Sequence, residues 1–227
     1  GSDQWGNIIS GVDLVRRVEQ ATVYAVTVLL IIDKATGKKF GKSEGNAVWL
    51  DVEKTTPYAF YQFWLNVSDE SVVDYLKLFT LLPLTEISIL EKDLESNPGA
   101  RMSQRALARE VTTLVHGGEV TEAVSNVSGL LFGDREFGKL SDEELGILFK
   151  NAPTVDISMD DLLIDVLINS NLATSKREAR TFVESGAVTL NGQRLENVDL
   201  KLGKEYFEFG VALLRRGKKN YCVLRLV

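Results

Sequence analysis

Cysteine and histidine are almost absent: the 227 residues contain one of each, Cys222 and His116. A single cysteine excludes an internal disulfide and fits a reducing compartment. One histidine and one cysteine cannot build a zinc site of the His/Cys type, and a histidine-dependent triad would have to use His116. No apolar run approaches the roughly 18 residues that span a bilayer, so a soluble chain without a membrane partner is expected. An initiator methionine and a signal-peptide pattern are also lacking. The chain opens on Gly1-Ser2, straight into a polar motif, and reads as a piece of something longer.

What is present is ordinary globular composition, 44% hydrophobic and 26% charged, which excludes a disordered or fibrous chain. The net charge of −6 hides an asymmetry. Residues 1–157 carry 15 basic and 23 acidic side chains, a balance of −8, whereas residues 158–227 carry 11 and 9, a balance of +2. Within that last stretch Arg215, Arg216, Lys218, Lys219 and Arg225 occur with no acid among them. An acidic body with a basic tail points to a polyanion partner; solvated charge on a hairpin is the alternative.

The apolar positions Ile8, Val12, Val15 and Val18 have helical spacing, predicting a helix over 7–20. Ala21 to Ile32 is β-branched and apolar, predicting a buried strand, and Asp33 to Gly45 is rich in Lys and Gly, predicting a loop. Helix, strand and basic loop together read as the trailing part of an α/β domain. From Thr55 the pattern turns helical. Thr56-Pro57 is a cap followed by proline at the first helical position. Further helices are predicted over 68–79, from Pro83 to about Asn97, over 100–116 up to Gly117-Gly118, and over 119–131, as an antiparallel bundle. Residues 133–157 read as a linker with one short helix, Ser141 to Lys150. In the last unit, Ser175 and Glu178 form a capping-box pattern before a helix ending at Gly186. Asn191-Gly192 marks a two-residue hairpin, and Val211–Leu214 with Tyr221–Leu226 a second.

Three stretches carry chemistry. Gly1-Ser-Asp-Gln-Trp-Gly-Asn7 precedes a helix: glycine permits close approach, a helix N-terminus favours anions, and Asp3 can accept from sugar hydroxyls. The same residues could simply start the helix. Lys38-Lys-Phe-Gly-Lys-Ser43 offers ammonium groups suited to transient phosphate charge, without the spacing of a Walker loop; an inert lysine cluster is the alternative. Lys176, Arg177 and Arg180 share a helical surface that, with the 215–219 cluster, could straddle a phosphate backbone, although Glu178 and Glu184 dilute it. His116 falls at a helix C-terminus, where a partly cationic imidazole suits the dipole, and a structural role is expected of it.

Gly1-Ser-Asp-Gln-Trp-Gly-Asn7 before a helix, with Lys39-Phe-Gly-Lys-Ser43 some thirty residues on, resembles bacterial-type tyrosyl-tRNA synthetases, the second motif being similar to the class I KMSKS signature. The resemblance continues through Ala47-Val-Trp-Leu-Asp51, Tyr61-Gln-Phe-Trp64 and Val115-His-Gly117. Ser175-Lys-Arg-Glu-Ala-Arg180 and Gly186-Ala-Val-Thr-Leu-Asn-Gly192 resemble the RNA-binding domain named after the fourth small-subunit ribosomal protein (S-four-type). Arg215-Arg-Gly-Lys-Lys-Asn-Tyr221 is similar to the family's C-terminal end.

The resemblance implies a multi-domain α/β plus all-α plus α+β chain: the trailing part of a Rossmann-like catalytic domain (1–54), a helical anticodon-side domain (55–132), a linker (133–157) and an S-four-type domain (158–227). It implies that Gly1 and Asp3 hold the adenosine ribose and that Gln4 contacts tyrosine or tyrosyl-adenylate. Lys39, Lys42 and Ser43 would stabilise pyrophosphate as tyrosine attacks the α-phosphate of ATP. Lys176, Arg177, Arg180, Arg215, Arg216, Lys218 and Lys219 would dock tRNA(Tyr). ATP enters as substrate with Mg²⁺, and no tightly bound cofactor or protein metal site is expected. The family's HIGH-type motif, its tyrosine-recognising residues and much of its dimer interface have no counterpart here. A portion of a tyrosine–tRNA ligase, inactive alone and active in a homodimeric complete enzyme, is therefore the expected function. A non-catalytic structured-RNA-binding module is the alternative, and a tryptophan-specific relative a third option that the S-four-type tail disfavours. Bacterial cytoplasm and an organelle both fit the residues.

Overall fold

The computed structural model describes residues 4–27, 30–32, 34, 37, 48–132, 140–217 and 220–227. In chain order its helices are α1 (Trp5–Glu19), α2 (Pro57–Leu65), α3 (Asp69–Phe79), α4 (Leu84–Ser96), α5 (Met102–His116), α6 (Gly118–Phe132), α7 (Asp142–Asn151), α8 (Leu163–Asn169) and α9 (Lys176–Glu184). The strands are β1 (Thr154–Ile157), β2 (Val188–Leu190), β3 (Gln193–Arg194), β4 (Val211–Arg216) and β5 (Asn220–Leu226). Local chemistry accounts for several boundaries. Thr56 Oγ1 accepts from the Ala59 N–H at 3.2 Å, with Pro57 in the first helical position. Ser141 and Glu144 form a complete reciprocal capping box at the start of α7.

The chain divides into two compact units. The first comprises Gly1–Trp49 and Val67–Gln104. Within it, α3 buries Val72, Tyr75 and Leu76, α4 buries Ile87, and the Ser103 hydroxyl donates to the Leu90 carbonyl at 2.8 Å. Helix α1 buries no residue; Trp5, Ile9, Leu14 and Val18 are all exposed.

The strand expected over Ala21–Ile32 requires correction over residues 21–27. Residues 21–27 form no strand, and Tyr24 and Val26 are 91% and 89% exposed. An apolar β-branched run has strand propensity, but a strand exists only where a neighbour takes its N–H and C=O groups. Among the described residues nothing pairs with 21–27.

The second unit comprises Leu50–Asn66 and Arg105–Val227. Here α2 lies against α6: Phe60, Tyr61 and Trp64 are buried, Tyr61 shares a hydrogen bond with Ser125 (3.2 Å), and Gln62 Nε2 donates to Ser128 Oγ (2.8 Å). Asn126 of α6 donates to Glu144 of α7 at 2.7 Å. The five strands form one sheet in the order β1-β5-β4-β2-β3, antiparallel except for the parallel β1–β5 edge. Strand β1 falls in the stretch expected to be a linker. Its four residues are too short for a visible alternation, and their pairing with β5 links positions some seventy residues apart.

Period-two alternation divides the sheet's side chains. Val188, Leu190, Ala212, Leu214, Cys222 and Leu224 join Leu163, Leu167, Ala179 and Val183 in a core with α8 and α9. The intervening residues Leu213, Arg215, Tyr221, Val223 and Arg225 point the other way, where Tyr221 meets Phe132 of α6 edge-on at 5.5 Å and Arg225 lies over Phe149 of α7 at 5.4 Å. The sheet is thus covered on both faces.

Candidate polyanion-binding surface

Helix α9 carries the predicted basic face, and its two ends are fixed by caps. At the start, Ser175 Oγ accepts from the Glu178 N–H at 3.2 Å. The capping box expected of this pair is only half formed. Glu178 Oε2 accepts instead from the N–H and hydroxyl of Thr174, at 2.6 and 2.5 Å, because one residue there offers the carboxylate two donors. Those bonds, the hydroxyl's first, hold the Glu178 carboxyl below its ordinary range, with a smaller contribution from nearby Arg216. At the far end, the Gly186 N–H donates to Val183 and the Ala187 N–H to Phe182, both at 2.9 Å, a Schellman arrangement. It places Gly186 at φ +66°, which glycine accepts without strain.

Lys176, Arg177 and Arg180 project from α9 into solvent, and Lys176 pairs with Asp165 of α8 at 2.7 Å. Arg216, at the end of β4, stacks its guanidinium over the Phe182 ring at 4.8 Å. The structure therefore brings Arg216 to α9, as the charge pattern suggested. Arg215 goes elsewhere. It is half-buried, and its Nη2 donates to the carbonyls of Leu130 and Leu131 at the end of α6, at 2.8 and 2.9 Å. Arg225 also leaves the basic cluster: it forks onto Asp156 at 2.6 and 2.8 Å across the β1–β5 register. Its charge is matched by an acid 69 residues away, which corrects the unrelieved basic run inferred from local sequence.

Sequence reasoning missed Arg194. Register pairs it with Thr189, and its exposed side chain folds over Gly186 at the end of α9. The signal was available: Arg194 follows the Asn191-Gly192 turn by two residues, and both turn residues have positive φ, 49° and 82°, as a tight hairpin requires. Phe182 is only partly buried and serves as the platform for Arg216.

Gly1, Asp3, Lys39, Lys42, Ser43, Lys218 and Lys219 lie outside the described residues. Gln4 is exposed at the start of α1, where its Oε1 accepts from Asn7 Nδ2 at 3.2 Å. Just before the lysine-rich stretch, Lys34 is held to α3: its N–H donates to Ser71 Oγ (3.2 Å) and its ammonium pairs with Asp74 (2.6 Å). His116 sits edge-on to Phe60, ring centroids 4.9 Å apart, and burial pushes its pKa below 6.5. Burial thus works against the partly cationic imidazole expected there, since the charged form would lose hydration against an aromatic neighbour. Among the described residues no group of three or more His, Cys, Asp or Glu could hold a metal ion, and no helix is long and apolar enough to cross a membrane.

Residues 1–133 match the family described as tRNA synthetases class I (W and Y), and the chain belongs to that family. Residues 144–224, which include α8, α9 and most of the sheet, match the tyrosine–tRNA ligase SYY-like C-terminal domain. Tyrosine–tRNA ligase 2 of Enterococcus faecalis is 46% identical over 228 residues, covering 99% of this chain and 54% of the relative. Tyrosine–tRNA ligase of Bacillus pumilus is 48% identical over 226 residues, covering 97% of this chain and 53% of the relative. A C-terminally truncated mitochondrial tyrosyl-tRNA synthetase from Aspergillus nidulans shares 34% identity over 58% of this chain and 39% of its own, with a TM-score of 0.44. The chain spans about half the length of the curated relatives it matches.

Proposed function

We propose that the chain contributes to a tyrosine–tRNA ligase that condenses tyrosine with MgATP to tyrosyl-adenylate and pyrophosphate, then transfers the tyrosyl group to tRNA(Tyr). The observation that carries this reading is the ordered pair of matches, a class I synthetase model over 1–133 followed by the tyrosine-type C-terminal domain over 144–224. In the first step a tyrosine carboxylate oxygen attacks the α-phosphorus. The bond to the bridging oxygen breaks, and pyrophosphate leaves with its electron pair. Lys39 and Lys42, with the Ser43 hydroxyl, neutralise the charge that grows on the leaving group. Gly1 and Asp3 bind the ribose, and Gln4 contacts the tyrosyl moiety.

The domain division is part of the proposal: residues 1–54 in the catalytic domain, 55–132 on the anticodon side, 133–157 as connector and 158–227 docking tRNA. The complete enzyme is a homodimer acting in the bacterial cytoplasm, and this chain alone is inactive. In the complete enzyme, Lys42→Ala is expected to lower kcat for tyrosine-dependent ATP–pyrophosphate exchange by about 10²-fold while tyrosine binding is unchanged. Unchanged exchange would remove the catalytic role. It would leave the non-catalytic RNA-binding reading, which the exposed cations of α9 also support.

A further inference from the structure

Adjacent residues of a strand point to opposite faces, so Arg215 and Arg216 cannot both serve one surface. Building on the tRNA-docking reading above, we infer that Arg215 is a positioning residue: it locks the sheet to the C-terminal end of α6, and only Arg216 of the pair joins the α9 cations on the phosphate backbone.

Four features of the molecule lead there. Arg215 lies across from Tyr221 and Thr189 in register, on the face where Leu213 and Val223 are buried and Tyr221 meets Phe132. Its guanidinium spans two carbonyls of the last turn of α6, and its positive charge faces the negative end of that helix. Arg216 points to the opposite face, over Phe182 of α9 and near Glu178. The Arg225–Asp156 fork above Phe149 makes a second tie on the same face as Arg215. Two arginines that read as one basic dipeptide are thus divided between holding the sheet and meeting the ligand.

The test measures binding of a tRNA(Tyr) transcript to the full chain over a KCl series, with amide exchange of α6 followed in parallel. Arg216→Ala is expected to flatten the slope of log Kobs against log[KCl] by about 0.7–0.9, the signature of one lost phosphate contact. Arg215→Ala is expected to weaken binding about tenfold at every salt concentration with the slope unchanged, and to speed exchange in the last turn of α6. Arg215→Lys keeps a donor for the two carbonyls and is expected to restore both the affinity and the protection, which covers the case where the alanine variant fails to fold. A slope that flattens equally in Arg215→Ala, or α6 protection that does not change, overturns the assignment. Salt-independent binding by the unsubstituted chain would instead overturn the tRNA reading, and the α6 exchange result would still decide Arg215.

Discussion

Gly186 connects α9 to β2, and replacing it by alanine makes a graded test of how the end of α9 is held. At φ +66° an L-residue meets a steric cost of about 1–2 kcal/mol. The alanine also restricts the unfolded chain, which offsets about 0.4–1 kcal/mol and leaves a net loss near 1 kcal/mol. A second effect is local: the new Cβ would stand 2.9 Å from Cδ of Arg194. Arg194 is exposed and free to swing outward, so the clash adds little energy but displaces a cation from the end of α9. Gly192 is the internal control. Its φ is +82° and a Cβ there would meet nothing within 4 Å, so Gly192→Ala carries the conformational cost alone. Urea denaturation at constant m-value should place the two variants within about 0.5 kcal/mol of each other, both less stable than the parent. Only Gly186→Ala should shift the Arg194 side-chain resonances. A Gly186→Ala variant as stable as the parent would refute the cap geometry. One several kcal/mol worse than Gly192→Ala would refute the claim that Arg194 moves aside freely.

Three further expectations concern ionisable groups. His116 is the only histidine, so its ring protons titrate in isolation; because burial lowers its folded pKa below 6.5, stability should be fully present above 6.5 and fall as pH drops through the folded value. A midpoint at or above 6.5 by NMR would contradict this. The hydrogen bond from Arg225 depresses the Asp156 pKa below 3.8, so its contribution is present above that value and is lost as acid titrates the folded carboxylate. Asp156→Asn should therefore reduce the acid sensitivity of the urea midpoint, and an unaltered pH profile would argue against the pair. Cys222 is buried, and desolvation pushes its thiol up to about 11, so a thiol reagent should react with it only after denaturation; rapid labelling of the native chain would show that the sheet core opens.

Features set by a few neighbouring residues were legible from sequence alone. Thr56-Pro57, the Gly117-Gly118 break and the Asn191-Gly192 turn each rest on a local steric or capping rule, and each appears where expected. Features set by distant partners were not legible. The apolar run at 21–27 has strand character but no neighbour among the described residues. Strand β1 is specified chiefly by β5. The same distance effect governs the cations. Charge patterning located the basic surface, but only the fold shows that Asp156 neutralises Arg225 and that α6 takes Arg215. Alternation along β4 could have separated Arg215 from Arg216 beforehand, because Leu213 and Leu214 already have to face two different cores.

The central proposal is that this chain docks tRNA through the exposed cations of its C-terminal unit. The most direct measurement is equilibrium binding of tRNA(Tyr) to the chain across a salt series. Contacts from Arg177, Arg180, Arg194 and Arg216 predict a slope of log Kobs against log[salt] near −3, at about 0.7–0.9 per contact. A slope near zero, or no binding at low salt, would contradict the account.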